Sequence, residues 1–212
     1  MWEPTAMKPD HDSSARQRPR RGLFGRFFAR KDGATAIEFT LLCLPFFMIV
    51  FASIETFVAF SAEQLLANAT DTMARKVRTG EITYNQGKTS DMTEAQFRAA
   101  FCQEISILMT CSADEVKKPT KLFLDVRTFA KFADIPKSIP RVSSAPYADL
   151  DTSAFKFTPG NKKTINIVRA YYRWDILTDL IRPYITNIRP ADGSRQTYLM
   201  VATAVIQNED YP

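Results

Sequence analysis

Apolar and polar residues follow three successive patterns along this chain. Residues 1 to 22, MWEPTAMKPDHDSSARQRPRRG, mix Pro, Ser and charge with almost no apolar content, the composition of a tail that cannot build a core. Residues 23 to 31, LFGRFFARK, then interleave aromatic and basic side chains, as expected of a segment lying at lipid headgroups. From Phe39 to Phe60 run 22 residues with a single charge, Glu55. That is close to the roughly 20 needed to cross a hydrocarbon core about 30 Å thick, so a transmembrane helix is expected over residues 34 to 62. Beyond Phe60 the helical period continues, with Leu66, Ala69, Met73 and Val77 at steps of three and four and Gly80 as a stop. One uninterrupted helix from about Ala34 to Thr79 is the expectation, apolar all round at first and one-sided afterwards.

The remaining residues alternate helical and extended patterns. Thr93 and Gln96 have the spacing of a capping box, and Phe97, Phe101, Ile105 and Leu108 then form one apolar stripe. Extended runs are expected at Lys121 to Phe129, Thr164 to Trp174 and Gln196 to Gln207. In the last, Tyr198, Met200, Ala202, Ala204 and Ile206 alternate with Leu199, Val201, Thr203 and Val205. Two largely apolar faces suggest a central strand covered on both sides. Residues 133 to 163 contain Pro136, Pro140, Pro146 and Pro159 with little periodicity; a connection of that length tends to be functional or mobile. A short helix is expected over Asp175 to Ile181. The fold class is therefore α+β: a single N-terminal transmembrane helix continuing into an amphipathic helix, packed on an antiparallel β-sheet domain.

Charge fixes an expected topology, because membrane helices keep their Lys/Arg-rich flank in the cytoplasm. Arg16, Arg18, Arg20, Arg21, Arg26, Arg30 and Lys31 precede the apolar run. Residues 1–33 are thus expected as a basic cytoplasmic leader in contact with membrane lipid, and residues 63–212 as a periplasmic domain. The chain has a formal net charge of +5. Residues 1–33 hold 8 basic and 4 acidic groups, and residues 63–212 hold 20 and 17, so the outer domain lacks the clustered basic stripe that nucleic acid requires. Of the three cysteines, Cys43 lies in the apolar run. Cys102 and Cys111 fall in the compartment where oxidation is allowed, and a disulfide is expected between them, with two free thiols as the alternative. Nine residues of unbroken helix would hold their Cα atoms about 13 Å apart, so the helix must end before Cys111.

Catalytic chemistry is hard to find. The only histidine is His11, which excludes histidine-dependent triads and disfavours zinc; no phosphate-binding glycine loop occurs. Asp149 and Asp151 could share one side of an extended segment, though a solvated loop is the commoner reason for such a pair. The chain is not expected to be an enzyme or to need a cofactor.

Glu38 stands one residue before the apolar run. Its surroundings, basic residues followed by Gly33, Ala34, Thr35, Ala36, Ile37, Glu38 and Phe39, resemble a type IV prepilin processing site. That resemblance implies cleavage between Gly33 and Ala34 by a prepilin peptidase. The new ammonium group would lie four residues from Glu38, able to pair with it or with Glu38 of a neighbouring subunit; a buried charge alone is expensive, and the pair offsets it. The GATAIEF start, the continuation to ARKVRTG and the closing YLMVATAVIQNEDYP are similar to the TadE-like pseudopilins of the tight-adherence (Flp) pilus system. The resemblance implies a pilin-like fold, a role in pilus biogenesis and surface adhesion, assembly through Glu38 and Phe39, and three kinds of partner. These are the prepilin peptidase, other pilins and pseudopilins, and an inner-membrane pilus assembly platform. Members of that family often end in Arg-Asn-Glu-Pro, where this chain has Gln207, Asn208, Glu209 and Asp210. The alternative is an unprocessed single-pass envelope protein with a periplasmic binding or structural domain.

Overall fold

The computed structural model describes residues 31–179, 181–190 and 192–211; the basic tail of residues 1–30 lies outside the described residues. Contacts divide the chain between Met48 and Ile49 into two compact units. Helix α1, Lys31–Arg78, contributes to both. In the first unit its apolar side chains, among them Phe39, Leu41, Leu42 and Leu44, are exposed, and Pro45 sits in the helix interior. Polar residues are accommodated because their hydroxyls donate to the carbonyl four residues back. Thr40 bonds Ala36, Ser53 bonds Ile49, Thr56 bonds Ala52 and Ser61 bonds Phe57, each at 2.8 Å, so these four hydroxyls need no solvent partner.

The second unit is the α+β head. From Ala62 onward α1 is one-sided: Leu66, Ala69, Met73 and Val77, the four residues marked by the helical period, are all buried. The helix ends where Gly80 takes φ +78°, a left-handed conformation that glycine adopts without a Cβ clash. Helix α2, Glu94–Ile105, opens with the expected capping box between Thr93 and Gln96. A one-turn helix α3, Ala113–Lys117, is capped by Ser112. Four strands follow: β1, Leu122–Phe129; β2, Phe157–Thr158; β3, Ile165–Trp174; and β4, Tyr198–Gln207. A short helix α4, Arg182–Ile185, precedes β4.

The sheet order is β2-β1-β3-β4. The three long strands pair antiparallel, with Val126 opposite Val168 and Ala170 opposite Ala202, and the two-residue β2 adds a parallel edge beside β1. One sheet face packs Leu122, Leu124, Val126, Val168, Ala170, Tyr172 and Met200 against α1 and α2. The opposite face forms a smaller core of Leu150, Tyr171, Ile188 and Leu199, with Phe123, Phe155 and Val201 beside it.

Three expectations change on this view. The central strand is β3, whose residues from Asn166 to Tyr172 are all buried; β4 is an edge, and on its second face Thr203 and Val205 are exposed. Leu108 is not part of the α2 stripe, because the helix ends at Ile105 and Leu108 is exposed. Among the described residues of Asp175 to Ile181 none is helical; a short helix occupies Arg182–Ile185 with Pro183 in its first turn, where a missing N–H and a fixed φ are tolerated best. The proline-rich connection is built into the fold. Arg169 donates to the carbonyls of Pro136 (2.7 Å) and Ser138 (3.4 Å), Arg141 bridges to Leu150, and the Phe155 ring stacks on Tyr171 at 4.8 Å. These contacts lay the connection over the second sheet face.

Candidate functional site

The residues singled out for processing and assembly lie at the start of α1. The described part of α1 opens at Lys31 and includes Gly33 and Ala34, and Glu38 and Phe39 follow about one turn later, both exposed. Ala34 and Glu38 are four residues apart, the spacing at which helical side chains meet. By length and composition, α1 carries a segment able to cross a membrane, none of it buried within the protein.

Glu55, the single charge of the apolar run, is buried, 8% exposed. Its Oε1 accepts a hydrogen bond from the amide of Leu177 at 2.5 Å, and Oε2 one from the amide of Thr178 at 3.1 Å. The carboxylate ties the segment after β3 directly to the helix. Arg182 and Arg195 donate to the neighbouring Ile176 carbonyl at 3.0 and 2.8 Å, and Arg182 also pairs with Asp179. A lone charge in an apolar run was the signal available in the sequence, and these are the partners such a charge requires.

At the other end of α1 the C-terminal residues close the helix. The Glu209 amide donates to the Arg78 carbonyl at 2.9 Å, its carboxylate lies 3.3 Å from Arg78 Nε, and Tyr211 packs where a Cβ on Gly80 would fall 2.5 Å from the ring. Buried Asn208 donates to the carbonyls of Gly160 and Asn161, both at 3.0 Å. The terminal run therefore holds three parts of the head together: the end of α1, the turn before β3 and β4 itself.

Cys102 and Cys111 form the expected disulfide, with Cα atoms 5.5 Å apart, because α2 ends between them. The Tyr172 hydroxyl donates to Thr110 in the same loop at 3.0 Å; burial pushes its pKa up to about 12, the bond to Thr110 opposing the shift. The next element is held by Glu115. Its Oε1 accepts from the amides of Thr120, Lys121 and Leu122 at 2.7, 2.6 and 2.8 Å, and its Oε2 from the Thr120 hydroxyl at 2.6 Å.

Asp149 and Asp151 do not act as a pair. Asp149 bonds Arg173 at 2.8 Å, while Asp151 accepts from the Ser153 amide at 2.9 Å, and the hydroxyl and amide of Ser153 hold its carboxyl below the usual range. Among the described residues, no group of three or more His, Cys, Asp or Glu could hold a metal ion.

An apolar helix long enough to cross a membrane that continues into an α+β head is consistent with a membrane-anchored protein of pilin-like fold. Residues 33–75 match the family model described as TadE-like protein. Neither a curated protein nor a solved structure matched the chain.

Proposed function

We propose that the protein is a minor pilin-like (pseudopilin) subunit that acts in biogenesis of a tight-adherence pilus and in surface adhesion. In this reading it enters the inner membrane with residues 1–33 cytoplasmic, residues 34–62 spanning and residues 63–212 periplasmic. A prepilin peptidase cuts after Gly33. The ammonium group of Ala34 then pairs with Glu38, within the subunit or on a neighbour, and Phe39 joins the helix contacts with other pilins, pseudopilins and the assembly platform. The observation that carries the reading is the TadE-like match over 33–75 on a helix whose apolar side chains stay exposed. Those exposed side chains suit lipid first and other helices later. Helix association in lipid depends on packing and on satisfied polar groups rather than on expulsion of water, which gives a charge pair at Glu38 a part in partner choice.

The test replaces Gly33 in producing cells. Gly33→Leu should leave a slower-migrating, uncut chain wherever a prepilin peptidase is present, and should abolish its incorporation into the assembly complex. Equal mobility of the wild type and G33L, both at the full-length position, would instead favour an unprocessed single-pass envelope protein.

A further inference from the structure

We propose that Leu177 and Tyr184 form a second membrane contact, entering the interfacial region of the outer leaflet beside the last apolar turns of α1. This rests on the reading of α1 as membrane-spanning.

Four observations within the head lead to it. The first is exposure: Leu177 is 81% and Tyr184 87% exposed, although Ile176 between β3 and Leu177 is buried. Ile185 is exposed as well, so this part of the head presents three large apolar or aromatic side chains to its surroundings. The second is level. On α1 the exposed apolar surface runs through Ile49, Phe51, Ile54 and Phe57 to Phe60, and polar residues begin at Ser61 and Glu63. The segment is tied not above this band but within it, since the Glu55 carboxylate holds the amides of Leu177 and Thr178. Five residues separate Glu55 from Phe60, about 7.5 Å along the axis. Interfacial segments bury their apolar side about 5–10 Å into the headgroup and acyl boundary, so a bilayer that covers α1 to Phe60 necessarily reaches Leu177.

The third is rigidity. With the Ile176 carbonyl accepting from both Arg182 and Arg195 and Arg182 paired to Asp179, the segment is held in place before it meets lipid. Little conformational freedom is left to lose on insertion. The fourth is a cleft of about 250 Å³ lined by Thr56, Ala59, Phe60, Glu63, Ile176, Ile185 and Tyr198, in which apolar side chains of the helix and of Ile176 and Ile185 face one space, with Glu63 at the edge where polar residues begin. Leucine for depth and tyrosine for the headgroup level are the residue types that interfaces favour. A buried carboxylate near lipid is expensive, and here its oxygens are occupied by backbone amides. Glu55 thus sets the height of the head above the bilayer, which a single helix alone would leave free to tilt.

The experiment uses the full chain with Cys43→Ser, in which Cys102 and Cys111 remain disulfide-bonded. Single cysteines introduced as Leu177→Cys, Tyr184→Cys, Ile49→Cys and Val142→Cys are labelled with the environment-sensitive fluorophore NBD. The protein is then reconstituted into phosphatidylcholine–phosphatidylglycerol vesicles with or without lipids doxyl-labelled near the headgroup. Labels at 177 and 184 should emit blue-shifted from the label at 142 and be quenched several-fold more by the doxyl lipid. Emission and quenching at 177 and 184 equal to those at 142 overturn the proposal. So does a blue shift that ignores the doxyl lipid and grows with the protein-to-lipid ratio, since it marks protein contact instead. The label at 49, about 16 Å from either end of the apolar run, is read with lipid doxyl-labelled deep in the acyl chain and separates the two readings: quenched there while 177 and 184 match 142, the span stands and the second contact fails; unquenched there, both fail.

Discussion

Removing the Glu115 side chain should destabilise the head out of proportion to its size. One carboxylate serves four donors: the amides of Thr120, Lys121 and Leu122 and the Thr120 hydroxyl. Together they join α3 to the first residue of β1. Hydrogen bonds to a charged group contribute about 1.5–3 kcal/mol each, and a buried donor left unpaired loses about 1–3 kcal/mol. Three amides crowd one oxygen, so their contributions do not add, and about 3–5 kcal/mol is the expected loss for Glu115→Ala. Glu115→Gln keeps an acceptor at Oε1 and lets the amide nitrogen donate to Thr120, so only the charge assistance goes, about 1–2 kcal/mol. Urea unfolding of the full chain in detergent micelles at pH 7, followed by the far-UV signal, measures both. An E115A variant within about 0.5 kcal/mol of wild type, or E115Q as unstable as E115A, would refute the reasoning. Acid adds a second check. Burial acts to raise the Glu115 pKa, but the bonds from the Thr120 hydroxyl and the three amides outweigh it, leaving the pKa below the ordinary glutamate value of 4.5. The folded pKa is depressed, so this stabilisation is complete above about pH 4.5 and fades as pH falls through the folded value. The gap between wild type and E115Q should therefore narrow on acidification.

The Cys102–Cys111 bridge should be visible as two alkylatable thiols that appear only after reduction, and the Cys102→Ser, Cys111→Ser double variant should lose about 2–3 kcal/mol for a loop this short; alkylation of both without reductant would contradict it. Gly80→Ala should destabilise by about 1–3 kcal/mol, since alanine at φ +78° is strained and its Cβ would meet the Tyr211 ring. In a Tyr211→Ala background only the backbone part should remain, so a double-mutant cycle of unfolding free energies should show coupling, and additive effects would sink the contact.

How much of this was legible depended on whether a residue's partner was near it in sequence. Leu66, Ala69, Met73 and Val77 announce their buried face by period alone, and Thr93 with Gln96 announces a helix start within one turn. Cys102 and Cys111 could be paired because compartment and spacing sufficed. The proline-rich connection was opaque, because its role depends on Arg169 and Tyr171 of β3, whose sheet face needed a cover that no periodicity encodes. The strand order was hidden for a related reason. Tyr198 to Gln207 is apolar on both sides, yet β4 stands at the edge, where the connection reaches Leu199 but leaves Val205 exposed. Glu55 is the sharpest case: its partners, Leu177 and Thr178, are more than a hundred residues away. A carboxylate in an apolar run signals that a partner exists without naming it.

The central claim is that the mature chain begins within α1, directly after Gly33. Purifying the protein from the membranes of producing cells and determining its N-terminal residue by mass spectrometry of the terminal peptide tests it most directly. The account predicts Ala34, four residues before Glu38. Recovery of only Met1, or of an N-terminus near Ala62 beyond the apolar run, would contradict it.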